Sequence, residues 1–179
     1  VIFSSTDFAR AETGDTHTEQ LLTVAADVAA THATTTDILT GIRIGFKGRS
    51  PNAPNGWATT YEGLCRSPSE AVRHEALLLG LLFRDDRAVA DLRTALNDGG
   101  QSPDRLRSLI HTASQSKLPE LSGLLLELLN RTDDRLAVIQ GLGAYNDPRT
   151  PDRLLAGIAD WNSEEVAAAL MVLASRRNW

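Results

Sequence analysis

Helix-start signals return along this chain at almost one spacing. Ser67, Ser102, Thr132 and Asn162 are 35, 30 and 30 residues apart. Each side chain can accept a hydrogen bond from an unpaired amide in a first helical turn. Pro68 and Pro103 follow the two serines, at the helical position that tolerates proline best. Ser67 with Glu70, and Asn162 with Glu165, have capping-box spacing. An apolar helix follows each cap: Val72–Leu82, Leu106–Ala113, Leu136–Leu142 and Val166–Leu173. One helix pair cannot bury both its apolar faces, so a pair repeated about every 30 residues predicts layers stacked on layers, an α-solenoid. The pattern constrains architecture, and no residue pattern demands a particular chemistry.

Composition agrees with that class. The chain has 179 residues, 42% of them hydrophobic and only 5% aromatic, with Ala and Leu dominating the apolar set. That favours helix-on-helix packing over a sandwich of sheets, which draws on Val, Ile, Tyr and Phe. A net charge of −5 argues against a nucleic-acid partner, which needs a concentrated positive surface. Cys65 is the one cysteine, so no internal disulfide or cysteine-based metal site is expected; a small buried side chain is. No run reaches the ~18 apolar residues of a membrane span. Val1 to Arg10 lacks the pattern of a signal peptide. The chain stops at Trp179, just past an apolar helix, which leads us to expect further helical structure or another domain beyond it.

Two regions differ in regularity. In residues 1–56, Thr16 and Glu19 open a helix carrying Leu21, Leu22, Val24, Ala25, Val28 and Ala29, expected to end near His32. Thr34, Thr35, Thr36 and Asp37 then begin a second, with Ile38, Leu39, Ile42 and Phe46. Lys47 to Gly56 holds Pro51 and Pro54 and reads as a loop. From residue 57 to 179 the reading is one continuous domain of regular pairs: Trp57–Arg66 with Ser69–Phe83, Ala88–Leu96 with Pro103–Ser114, Pro119–Leu129 with Asp133–Tyr145, and Thr150–Ala159 with Ser163–Arg176. The class is therefore all-α, with four to five helix pairs. The Leu124–Leu129 stretch is apolar nearly all round and is expected to be the most buried element.

Chemistry-bearing residues form no reaction centre by spacing. His17, His32, His74 and His111 are scattered without a zinc-like pattern. Asp85–Asp86 and Asp133–Asp134 fall at helix starts, where the helix dipole favours negative charge, and read as caps. Gly141 and Gly143 read as close helix packing, and Trp57, Trp161 and Trp179 as packing residues. Arg73, Arg105, Arg107 and Arg135 recur early in the second helices, and His111 shares that surface. They form a candidate basic ladder for an acidic protein partner, interrupted at Glu165. Arg43, Lys47 and Arg49 flank the long loop as a thinner cluster.

The stretches ALLLGLLFRDDRAV (Ala76–Val89), AYNDPRTPDRLL (Ala144–Leu155) and LASRRNW (Leu173–Trp179) carry a resemblance. So does FKGRSPNAPNGWA (Phe46–Ala58) before the regular repeats. They resemble the HEAT-like repeat region of the large haem-binding, membrane-bound-dehydrogenase-like proteins of planctomycetes and verrucomicrobia. The likeness runs from about Ile38 onward, with the DPRTP turn its most specific part. It implies HEAT-like antiparallel helix pairs within a longer polypeptide, between a β-propeller and a cytochrome c-like domain. Haem c would belong to that other domain, and an extracytoplasmic location would follow from it. Cys65 is followed by Arg66, Ser67 and Pro68, so no haem attachment motif lies here and no catalytic, cofactor-binding or metal residue carries over. The expected role is a non-catalytic scaffold segment of a dehydrogenase-like protein, its partners being neighbouring domains. The alternative is a free-standing HEAT-like module that binds a protein, or nucleic acid as HEAT-like DNA glycosylases do.

Overall fold

The computed structural model describes residues 18–24, 31–46, 49, 51–100, 102–131 and 134–176. Thr16, His17, Lys47, Thr132, Asp133 and Trp179 lie outside them. Among the described residues every regular element is helical. These are α1 (residues 18–24), α2 (His32–Gly45), α3 (Trp57–Cys65), α4 (Glu70–Leu82), α5 (Asp86–Asn97), α6 (Pro103–Ser116), α7 (Glu120–Leu128), α8 (Arg135–Leu142), α9 (Thr150–Gly157) and α10 (Ser163–Ala174). A 3-10 turn, Ile158–Asp160, follows α9.

Cap chemistry explains most boundaries. Ser102 Oγ accepts from Arg105 N at 3.3 Å and Pro103 opens α6, as the spacing predicts. Asn162 and Glu165 form the full capping box of α10: Asn162 Oδ1 takes the Glu165 amide, and Glu165 Oε2 takes the Asn162 amide. Two expectations are corrected. Ser67 does not cap α4; Ser69 does, accepting from Val72 N. Ser67 and Pro68 instead form a turn whose carbonyls both accept from Arg73 Nη1. His32 opens a helix rather than closing one, because Thr31 Oγ1 accepts from Thr34 N at 3.2 Å.

The chain packs as two compact units, one ending at Ala88 and one beginning at Val89. In the first, α2 and α3 both pack on α4. Its core includes Leu39, Ile42, Trp57, Tyr61, Val72, Leu79 and Phe83. In the second, α6, α7 and α10 all pack on α8, and α9 packs on α10. The leucines of α7 are buried on all sides, as their spacing predicts, and each removes about 1.5–3 kcal/mol worth of apolar surface from water. At Gly141 in α8 a Cβ would meet Ser114 Oγ at 2.8 Å and Ile110 Cγ2 at 3.0 Å. The glycine is what lets α8 lie so close to α6, the packing role its spacing predicts.

Candidate functional site

Two of the arginines offered by the sequence as a binding ladder pair with carboxylates on or beside a neighbouring helix. Arg135, at the start of α8, donates Nη1 to Glu165 Oε1 of α10 at 3.1 Å and Nε to the Leu129 carbonyl. Its guanidinium also lies 6.0 Å over the Trp161 ring. Arg107 on α6 sits 2.6 Å from Asp134, the residue before α8, and 2.7 Å from Asp104. Arg73 is exposed and tied to the turn before α4. Arg105 is half-buried beside the α6 cap, its amide bonded to Ser102. His111 is exposed, with its Nε2 2.7 Å from Gln115 Nε2. In the first unit Arg43 on α2 grips Glu75 on α4 with two bonds, at 2.9 and 3.1 Å.

These pairs share one plan. Arg43–Glu75 ties α2 to α4, Arg107–Asp134 ties α6 to the residue before α8, and Arg135–Glu165 ties α8 to α10. Glu165, which looked like a gap in a basic ladder, is the carboxylate that Arg135 uses. Charges on adjacent packed helices lower their energy by pairing across the interface, as Arg107 and Arg135 do. A carboxylate 27 to 32 residues beyond each arginine is the signal that could have revealed this.

A second recurrence lies in the turns. Asp85, between α4 and α5, accepts Arg87 N and Nε on Oδ1, both at 3.0 Å, and Arg87 Nη2 on Oδ2 at 2.6 Å. Asp147, between α8 and α9, accepts Arg149 N and Nε on Oδ1 at 2.9 and 3.0 Å, and Arg149 Nη2 on Oδ2 at 2.6 Å. A fourth donor comes each time from an earlier helix: Trp57 Nε1 of α3 to Asp85 at 2.8 Å, Ser122 Oγ of α7 to Asp147 at 2.6 Å. The Arg149 bond, with help from Ser122, holds the Asp147 carboxyl well below the ordinary carboxylate range despite its burial. Burial pushes Asp85 upward, but the bonds from Arg87 outweigh it and its pKa is lowered.

No protein-family model matches this chain, and no curated protein matches it. The site must therefore be read from its own chemistry.

The surroundings of the two turns differ. Trp57 packs edge-on against Phe83 at 4.9 Å and beside Tyr61 at 5.6 Å, and Arg87 lies 5.4 Å over the Tyr61 ring. Beside Asp147 lies a cavity of about 470 Å³, lined by Lys117, Pro119, Ser122, Tyr145, Pro148 and Arg149 among others. Tyr145 is buried there and donates its hydroxyl to the Ala113 carbonyl. Burial raises its pKa to about 12. Another cavity, about 410 Å³, lies between the end of α5 and the start of α6, where Arg131 reaches Asn97 and Arg107 meets Asp134. Among the described residues no group of three His, Cys, Asp or Glu side chains is placed to hold a metal. No described helix is long and apolar enough to cross a membrane. Cys65, expected to be buried, is half-buried at the end of α3.

Proposed function

We propose that this chain is a non-catalytic helical-repeat scaffold, an α-solenoid of HEAT-like pairs that holds neighbouring domains of a longer polypeptide. The resemblance supplies the setting: a segment between a dehydrogenase-like propeller and a haem-bearing domain, outside the cytoplasm. The observation that supports the role is the use of charge. Arginines and carboxylates that could serve a substrate or partner are committed to pairs between successive helices, at Arg43–Glu75, Arg107–Asp134 and Arg135–Glu165. A segment whose polar chemistry ties helix to helix is suited to transmitting position.

Charge reversal tests this. Arg135→Glu should destabilise the chain by about 2 kcal/mol, since it places like charges together beside the mostly buried Glu165. Arg135→Glu with Glu165→Arg should recover at least half of the loss in chemical denaturation. A docking ladder predicts the opposite: the single reversal leaves stability unchanged. A stoichiometric visible chromophore in the purified chain would likewise overturn the scaffold reading.

A further inference from the structure

We propose that the cavity beside Asp147 receives an aromatic side chain presented by a partner polypeptide. The inference does not rest on the scaffold role; it rests on an internal comparison. The Asp85 and Asp147 turns repeat four hydrogen bonds with nearly identical lengths. Two residues before each aspartate stands a buried aromatic ring, Phe83 or Tyr145. In the first turn the fourth donor is an indole, and its bicyclic ring fills the space against Phe83. In the second the donor is the Ser122 hydroxyl, so the same bond is made without the ring. The 470 Å³ cavity lies at that place, bounded by Ser122, Tyr145 and the Asp147–Arg149 turn.

The lining suits a ring better than an aliphatic chain or a cation. Pro119 and Pro148 give rigid apolar walls, and Lys117 and Arg149 give two cations that attract the face of a π-system. Asp147 holds Arg149 flat by one edge. Gly123 lets the guanidinium approach α7, where a Cβ would stand 3.3 Å from Arg149 Nη2. Arg149 is 64% exposed against 39% for Arg87, whose guanidinium the Tyr61 ring underlies. The Asp147 carboxylate already accepts four donors, which fills its capacity. Recognition therefore falls to stacking, so indole and phenol rings both fit. Arg149 is paired with Asp147, so the exposed Lys117 is the rim charge that favours an acidic residue beside the ring.

The test uses the whole 179-residue chain and an acetylated Asp-Trp-Asp peptide, with Asp-Leu-Asp as control, followed by amide NMR shifts. The tryptophan peptide should shift Lys117, Asn146 and Arg149 saturably, at about millimolar affinity, and leave the Arg87 turn unmoved. The leucine peptide should bind at least about threefold more weakly, as should Arg149→Met with the tryptophan peptide. Lys117→Asn, which suits the left-handed backbone at that position, keeps the fold and should also weaken binding. Ser122→Trp should fill the cavity and abolish binding. No saturable shift, equal binding of both peptides, or indifference to both rim variants would overturn the proposal. Concentration-dependent shifts of the same amides without peptide would assign the cavity to a second copy of this chain, and also overturn it.

Discussion

The Asp85 turn and the Asp147 turn use the same Asp-x-Arg clamp and dress it differently. The first surrounds it with Trp57, Phe83 and Tyr61; the second covers it with a serine hydroxyl and leaves a hollow. The difference separates two contributions that usually come together. The clamp fixes the turn between two helices, and for that a carboxylate with four donors is enough. Aromatic packing adds buried apolar surface.

The largest effect that would break this comparison is at the fourth donor. Trp57→Ala should cost about 3–5 kcal/mol, the loss of a buried ring plus the cavity it leaves. Ser122→Ala should cost only about 1 kcal/mol, one hydrogen bond. Chemical denaturation of the two variants measures both, and equal costs would mean that the indole matters only as a donor.

Titration sharpens the comparison next. Both aspartates have folded-state pKa values below their ordinary 3.8. Their contribution is therefore complete above about pH 4 and is lost as pH falls toward the folded values. Asp147, the more depressed, gives the longer acid slope, so Asp147→Asn should flatten stability against pH more than Asp85→Asn does. Tyr145 acts at the other end. Its pKa is raised from 10.0 to about 12, so its contribution is full below pH 10 and declines as pH climbs toward 12. Tyr145→Phe should remove that alkaline loss, read by thermal melting across pH 9 to about 12.

The smallest effect concerns the arginines. Arg87→Met gives up a ring contact, a carbonyl bond to Ala58, an ion pair with Glu62 and the Asp85 clamp, whereas Arg149→Met gives up chiefly the clamp. The melting temperature should fall more for Arg87→Met. Equal falls would mean that the aromatic surroundings add nothing to the first clamp.

The helical class, the caps at Ser102 and Asn162 and the burial of the α7 leucines are legible because they depend on neighbours within one turn or one helix. Ser67 misleads for a local reason: Ser-Pro-Ser offers two caps, and Arg73 stabilises the turn that makes Ser69 the cap. The ion pairs of Arg43, Arg107 and Arg135 stay hidden for a distant one. Each carboxylate partner is 27 to 32 residues away, and only helix packing decides which face of α4 or α10 it shares. The two Asp-x-Arg turns were visible as letters, yet their equivalence depends on Trp57 and Ser122, unlike residues in a common role. The cavity is a difference in side-chain volume between two places, and spacing carries no volume.

The Arg43–Glu75 and Arg135–Glu165 bridges are sheltered, with carboxylates only 12% and 8% exposed. Mobile ions reach such charges poorly, so these fastenings should persist in brine, while open ones such as Arg66–Glu62 fade. A unit fastened this way would keep its helices together as the salinity around it rises and falls.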